Sequence, residues 1–256
     1  MDFRKIVWAV VLLLVVGIGA YFIIPNWVRI QNKSNQIYRY LYSVLSYRIG
    51  EDHPDGWENY GIWGLDISHH QKEVDWSAFT KKSKPDFIFF KATEGVTHED
   101  TKYKEYIQKS RESGILSGAY HFFSYQTKGK DQALHFLAYA NLQAGDLYPV
   151  LDVEFKTKMP ADEIVSREIL AYLQTIEDSL KIKPIIYCEC AFYERFLKNH
   201  LKGEYTMWIS DFWAEPKCDW RFWQYTHKYK MTGISGNVDR NYFNGSRDDL
   251  QKLILK

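Results

Sequence analysis

The chain has little cysteine and almost no net charge. Its 256 residues include three cysteines, Cys188, Cys190 and Cys218. This set makes neither a disulfide framework nor a plausible zinc site, so we expect buried free thiols without a functional role. Lysine and arginine total 33 and aspartate and glutamate total 32, a formal charge of +1 at pH 7. That balance gives no overall field to attract nucleic acid, and we expect no nucleic-acid partner.

Aromatic side chains, in contrast, are abundant: 9 Trp, 19 Tyr and 15 Phe. Some must fill a core, but carbohydrate sites also use flat aromatic surfaces, so the excess mildly favours a sugar ligand. The length leaves room for one sizeable domain with accessory segments.

An uncharged apolar run covers residues 6–24. As a helix it would be about 28 Å long, close to the hydrocarbon thickness of a bilayer. Arg4 and Lys5 precede the run, so the positive-inside rule leaves residues 1–5 in the cytoplasm. We therefore predict a single-pass transmembrane signal anchor at 6–24 in a bacterial cell membrane, with the following domain on the extracytoplasmic side. Secretion after signal cleavage is the alternative, because small residues within the run would suit a processing site.

Residues 25–60 form a polar and aromatic connector that starts at the helix-stopping Pro25. Residues 61–256 then alternate between apolar strands and amphipathic helices. The predicted strands are Ile62–Ser68, Phe87–Ala92, Leu116–Phe123, Tyr148–Phe155, Ile185–Cys188, Tyr205–Ile209, Arg221–Tyr225 and Val238–Phe243. The predicted helices are 76–82, 102–113, 130–140 and 162–179.

Strands that are apolar on both faces and separated by helices predict a parallel sheet covered on both sides. About eight strands in about 190 residues favour a closed α/β fold, an irregular TIM-like (β/α) barrel that lacks its C-terminal helices. A doubly wound open sheet is the alternative.

Asp152 and Glu154 lie two residues apart on one predicted strand. Side chains at this spacing share a face, with Cα atoms roughly 6.6 Å apart. Two such carboxyls resist simultaneous ionisation, so the more desolvated one should have a raised pKa. A glycosidase needs one protonated acid and one ionised partner. Ordinary salt bridges or caps at an acidic strand end are the alternative explanation.

Polar or aromatic residues also end the other predicted strands, where the mouth of a barrel would lie. They are Asp66, Lys91 with Glu94, His121, Tyr187, Trp208 with Ser210, Gln224, and Asp239 with Asn241. A mouth with four acids and several aromatics indicates a sugar-cleaving or a metal-dependent site. His69 and His70 are adjacent, so their side chains point apart, which favours a structural role. We predict neither a metal nor another cofactor.

Several short motifs, in order along the chain, resemble the family 25 glycoside hydrolases, the Chalaropsis-type lysozymes. They are Gly64-Leu65-Asp66-Ile67-Ser68 with His70 and Gln71, Asp75-Trp76, Phe90-Lys91-Ala92-Thr93-Glu94-Gly95, Gly118-Ala119-Tyr120-His121-Phe122, Leu151-Asp152-Val153-Glu154, Ile186-Tyr187, Trp208-Ile209-Ser210, Trp223-Gln224-Tyr225, and Val238-Asp239-Arg240-Asn241 with Phe243. The resemblance runs from about Ile62 to Gly245.

The resemblance implies a muramidase that hydrolyses the β-1,4 bond between N-acetylmuramic acid and N-acetylglucosamine, in cell-wall remodelling or lysis. It implies that Glu154 is the proton donor and that Asp152 stabilises positive charge at the reacting centre or orients the substrate acetamide. Asp66 and Asp239 would be the other two acids of the site. The implied sugar-contacting residues are Tyr120, Tyr187, Trp208 and Gln224.

Departures from the family pattern fall at Ser210, Phe212 and Arg240 and concern fine specificity. The expected partners are peptidoglycan glycan strands and, through the N-terminal helix, the membrane; we expect a monomer. A non-catalytic peptidoglycan-binding protein on the same fold is one alternative function. A metal-dependent hydrolase that uses Asp66, the two adjacent histidines and the Asp152/Glu154 pair is another, and a chelator would inactivate it.

Overall fold

The computed structural model describes residues 61–82 and 84–256. The predicted cytoplasmic N-terminus at 1–5, the anchor at 6–24 and the connector at 25–60 lie outside these residues. Within the described ranges, no helix is long and apolar enough to cross a membrane.

Strands and helices alternate along most of this part of the chain. The strands are β1 (Trp63–Ile67), β2 (Phe87–Glu94), β3 (His98–Glu99), β4 (Leu116–Phe122), β5 (Val150–Asp152), β6 (Ile185–Cys188), β7 (Met207–Ser210), β8 (Phe222–Tyr229) and β9 (Val238–Phe243). The helices are α1 (Trp76–Lys82), α2 (Tyr103–Glu112), α3 (Gly129–Ala140), α4 (Asp162–Leu180), α5 (Cys190–Phe192) and α6 (Arg247–Gln251).

All of these strands except β3 close into a barrel in the order β1-β2-β4-β5-β6-β7-β8-β9. Neighbours are parallel from β1 to β8, whereas β9 runs antiparallel to both β8 and β1. The predicted barrel is confirmed, and the open doubly wound alternative is wrong. β9 departs from the expected parallel arrangement because residues 230–237 are too few for a parallel crossover, which needs roughly a dozen residues.

β5 is shorter than predicted and ends at Asp152, so Glu154 lies in the segment beyond the strand. Phe122, the last residue of β4, is the partner of Asp152 on one side, and β6 ends at Cys188 on the other. The chain after Val153 therefore has no neighbouring strand to pair with.

Large aromatic side chains fill the barrel below its mouth. Phe87, Phe89, Trp208 and Phe222 belong to one buried cluster inside the sheet. The ring of Phe87 lies so close to Gly64 that a Cβ there would be 2.3 Å from it. Glycine on β1 thus makes room for a ring on β2, and aromatic side chains occupy the barrel interior below the mouth.

The barrel lacks long helices after β6, as predicted. A second aromatic cluster packs on the outer face of β8 and β9, where Tyr225 and Tyr242 stack with their ring centroids 4.4 Å apart. Beside it, the Arg240 guanidinium lies over the rings of Trp63 and Tyr229, at 4.5 and 4.4 Å from their centroids. Arg240, one of the departures from the family pattern, therefore points away from the acids.

Cys190 and Cys218 form a disulfide, so the expectation of three free thiols was wrong. Only Cys188 is free, and it is buried. The two bonded residues are 28 positions apart and meet because the loop between β7 and β8 returns to the start of α5. The spacing of the cysteines in the sequence does not reveal that this loop comes back to α5.

Candidate active site

Asp66 lies next to the C-terminal residue of β1 and is only 7% exposed. Its Oδ2 accepts hydrogen bonds from Gln224 Nε2 at 3.0 Å and from Asn241 Nδ2 at 2.8 Å. Two amide donors on a single oxygen fix the carboxylate in one orientation and satisfy its charge.

Aromatic side chains set the orientation of both amides. The Tyr187 hydroxyl donates to Gln224 Oε1 at 2.8 Å, and Trp208 Nε1 donates to Asn241 Oδ1 at 2.9 Å. An indole N–H can only donate, so the oxygen of Asn241 must face Trp208 and its amide nitrogen must face Asp66.

Three of the four predicted sugar-contacting residues therefore support Asp66. Trp208 is 2% exposed and Gln224 is 5% exposed, and Tyr187 bonds to Gln224. Tyr120, the fourth, lies near the acids: burial raises its pKa well above the usual range, and the charges of Asp66, Asp152 and Asp239 add to the rise. Sugar contact by these four residues stays a prediction.

Asn241 was expected at the mouth with Asp239 but had no role among the implied acids and sugar-contacting residues. It follows Asp239 by two positions on β9, so both side chains point to the same face of the strand. This two-residue spacing from Asp239 was the sequence signal that could have linked Asn241 to the acids.

Asp239 faces Asp66 across the β1–β9 pair. Burial raises the pKa of Asp239 well above its usual range, and the charge of Asp66 and a hydrogen bond between the two carboxyls raise it further. Burial also raises the pKa of Asp66, but hydrogen bonds from Asn241, Gln224 and Asp239 oppose that rise. Burial and the proximity of the two carboxyls therefore disfavour ionisation of both at once, and the two amide donors favour the anionic form of Asp66.

Asp152 of the predicted acid pair has a strongly perturbed carboxyl. Burial raises its pKa well above the usual range, and the charges of Glu154 and Asp66 raise it further. Its Oδ1 is buried and accepts no hydrogen bond from the described residues. Glu154 is half-buried, and the Tyr125 hydroxyl donates to its carbonyl oxygen at 2.9 Å, which holds the backbone at this point.

The remaining polar residues of the predicted mouth divide into two groups. Lys91 and Glu94 form an ion pair of 2.6 Å at the rim. His121, in contrast, points out of the barrel because it alternates with the inward-facing Tyr120. It stacks on Tyr172 of α4 with ring centroids 5.0 Å apart, so its expected place at the mouth was wrong.

His69 bonds through Nδ1 to Asp100 Oδ2 at 2.7 Å, which ties the loop after β1 to the segment after β3. Among residues 61–82 and 84–256, no three His, Cys, Asp or Glu side chains converge in a group that could hold a metal ion.

The mouth of the barrel thus brings together two coupled pairs of acids. Asp66, held by two amide donors, faces Asp239, and the half-buried side chains of Asp152 and Glu154 lie two residues apart. Proton donation beside a stabilising carboxylate is the chemistry of glycosidic bond cleavage. A β/α barrel with these acids at its mouth defines a glycoside hydrolase.

Comparison with known proteins identifies the family. The sequence pattern described as "Glycosyl hydrolases family 25" matches residues 65–234, and the chain belongs to this family. The match ends before Asp239 and Asn241, so the geometry described above is what includes these two residues in the site.

The relatives include "Uncharacterized protein YegX" of Escherichia coli strain K12, 37% identical over 204 residues that make up 77% of this chain and 74% of the relative. "Lysozyme M1" of Streptomyces globisporus is 27% identical and shares 75% of this chain and 71% of its own length. The crystal structure of a family 25 glycosyl hydrolase from Bacillus anthracis has a TM-score of 0.72 and 28% identity, with 80% of this chain and 98% of that one covered.

Proposed function

We propose that this protein is a peptidoglycan hydrolase, a muramidase that cleaves the β-1,4 bond between N-acetylmuramic acid and N-acetylglucosamine. The observation that carries the proposal is the convergence of Asp66, Asp152, Glu154 and Asp239 at one barrel mouth. The lysozymes among the relatives support the choice of substrate.

Three of the four acids have a role that follows from their surroundings. Glu154, whose side chain is half-buried beside Asp152, donates a proton to the leaving oxygen. Asp66, held as an anion by Gln224 and Asn241, stabilises the positive charge that develops on the sugar ring. Asp152 Oδ1, buried without a donor from the described chain, accepts the N–H of the substrate acetamide and orients that group.

The test is the identity of the new chain ends. Purified peptidoglycan is digested with the full-length protein in mild detergent, reduced with borohydride and analysed by mass spectrometry. Reduced muramic acid ends are expected. Reduced glucosamine ends would show that the other glycosidic bond is cut, and no new ends across several wall types and pH values would favour a non-catalytic wall-binding protein.

We further propose that the protein is a single-pass membrane protein whose barrel lies outside the cytoplasm and acts as a monomer. The apolar run at 6–24 with its preceding basic residues supports the anchor. The Cys190–Cys218 disulfide supports an oxidising, extracytoplasmic location. Resistance to carbonate extraction together with digestion by external protease is expected; a carbonate-soluble or protease-shielded protein would contradict the topology. Light scattering of the detergent-solubilised protein tests the oligomeric state.

A further inference from the structure

Two lysines flank an aromatic ring at the barrel mouth beside Asp152. Phe122 ends β4, with Glu94 opposite it on β2 and Asp152 opposite it on β5. The ammonium group of Lys156 lies 4.0 Å from the centroid of the Phe122 ring, and that of Lys91 lies 4.8 Å from it. The ring therefore positions two positive charges next to the acid pair.

The two lysines differ in what else they bind. Lys91 forms an ion pair with Glu94 at 2.6 Å, and its side chain is 12% exposed. Its charge is therefore compensated within the protein. Lys156 is exposed, and no described carboxylate forms an ion pair with it. Its ammonium group is therefore accessible to a ligand that enters the mouth.

The proposed substrate brings a negative charge close to the acids of the site. A cation at this position offsets the repulsion between them. Muramic acid carries a lactyl carboxylate, which is bare or extended by an acidic peptide, on the sugar ring whose C1 is attacked. The substituent must therefore approach within one sugar of the catalytic acids, where like charges repel it. Both lysines lie close enough to Asp152 to oppose the effect of burial on its pKa, so they also lie within reach of that substituent.

We propose that Lys156, positioned over Phe122, forms a subsite for the anionic lactyl or peptide substituent of the muramic acid residue. This inference rests on the proposed muramidase function and adds to it a determinant of substrate charge.

The test compares two substrates that differ only in charge. Soluble glycan strands with peptide stems are used untreated, or after their carboxylates have been amidated with carbodiimide and ethanolamine. Lys156→Gln is compared with Lys158→Gln, which removes a second exposed lysine from the same segment, and with Lys156→Arg, which keeps the charge. All variants are made in the full-length protein.

For Lys156→Gln we expect KM on untreated strands to rise about three- to five-fold, the size of a partly exposed ion pair, with kcat almost unchanged. KM on amidated strands should not change, and Lys158→Gln and Lys156→Arg should resemble the wild type on both substrates. An unchanged KM on untreated strands, or an equal rise on both substrates, would overturn the subsite.

Binding measured in the Glu154→Gln background separates this inference from the proposed function. Calorimetry with the same strands should show the same charge-dependent loss of affinity for Lys156→Gln, and this readout needs no turnover. If the wild type cleaves neither substrate, the muramidase proposal fails, whereas the binding comparison still decides the role of Lys156. Equal affinity of the Lys156→Gln and parent proteins for untreated strands would reject the subsite.

Discussion

The buried carboxyl of Asp66 has a fixed orientation because two side-chain amides donate to the same oxygen. Each amide is held by an aromatic donor behind it, Tyr187 or Trp208. At the scale of single residues, the site is thus a carboxylate, proposed to be catalytic, with a supporting layer of side chains that extends into the barrel core.

Trp208→Phe tests that layer, because it keeps a ring in the core and removes only the donor to Asn241. We expect kcat to fall about 10-fold with little change in KM, and stability to fall by about 1–3 kcal/mol because Asn241 Oδ1 loses its partner. Steady-state kinetics and denaturant unfolding measure both effects. If Trp208 contacts the sugar, as the sequence predicted, KM rises instead; Trp213→Phe, at an exposed position, is the control.

Asp239→Asn should stabilise the protein at neutral pH. The pKa of Asp239 is raised in the folded state, first by burial and then by Asp66. The protonated Asp239 carboxyl therefore stabilises the fold fully at pH values below its pKa in the unfolded chain. This stabilisation is lost as the pH rises through its pKa in the folded protein. The amide keeps a donor toward Asp66 and carries no charge, so we expect a gain of about 1 kcal/mol at pH 7 that disappears near pH 4. Unfolding at both pH values tests this, and a variant less stable than the wild type at pH 7 would contradict it.

Among the elements, β4 contributes to two environments through alternate side chains. Tyr120 faces the acids, whereas His121 lies between β4 and the helices α3 and α4. His121 Nδ1 accepts from the Thr93 hydroxyl at 2.7 Å and Nε2 donates to Gln132 Oε1 at 3.0 Å. A neutral imidazole satisfies both bonds, so this contact depends on pH.

Burial lowers the pKa of His121 to about 4. Because the unfolded chain binds the proton near pH 6.5, stability is full above that pH and is lost as pH falls toward 4. We expect the wild type to lose about 3 kcal/mol more than His121→Gln between pH 7 and pH 4. Parallel pH curves of unfolding free energy for the two proteins would contradict this assignment.

The Cys190–Cys218 disulfide connects the start of α5 to the β7–β8 loop. Because it closes a loop of 28 residues, its removal by Cys218→Ser should cost about 3 kcal/mol. A reductant should lower the melting temperature of the wild type but not that of the variant. Two further thiols should become titratable when the denatured wild type is reduced, and an unchanged thiol count would disprove the bond.

For the whole molecule, the barrel could be predicted from the sequence because its two signals, apolar runs and polar strand ends, are local patterns. Apolar runs located the strands, and the polar residues at their ends, among them Asp66, Gln224 and Asp239, indicated the mouth of the barrel. The antiparallel β9, the early end of β5 and the disulfide depend on how distant segments meet, which no local pattern encodes. The support that Trp208 gives to Asn241 also had no local signal, because it requires β7 and β9 to face each other across the barrel.

The most direct test of the account is the rate of peptidoglycan cleavage by Glu154→Gln, with Glu163→Gln in the exposed first turn of α4 as the matched control. The glutamine keeps the shape of the side chain but cannot donate an acidic proton to the leaving oxygen. We predict a loss of roughly 100- to 10,000-fold in kcat with the fold intact, and no loss for the control. A Glu154→Gln protein that cleaves peptidoglycan at the wild-type rate would contradict the assignment of the acid and, with it, the mechanism.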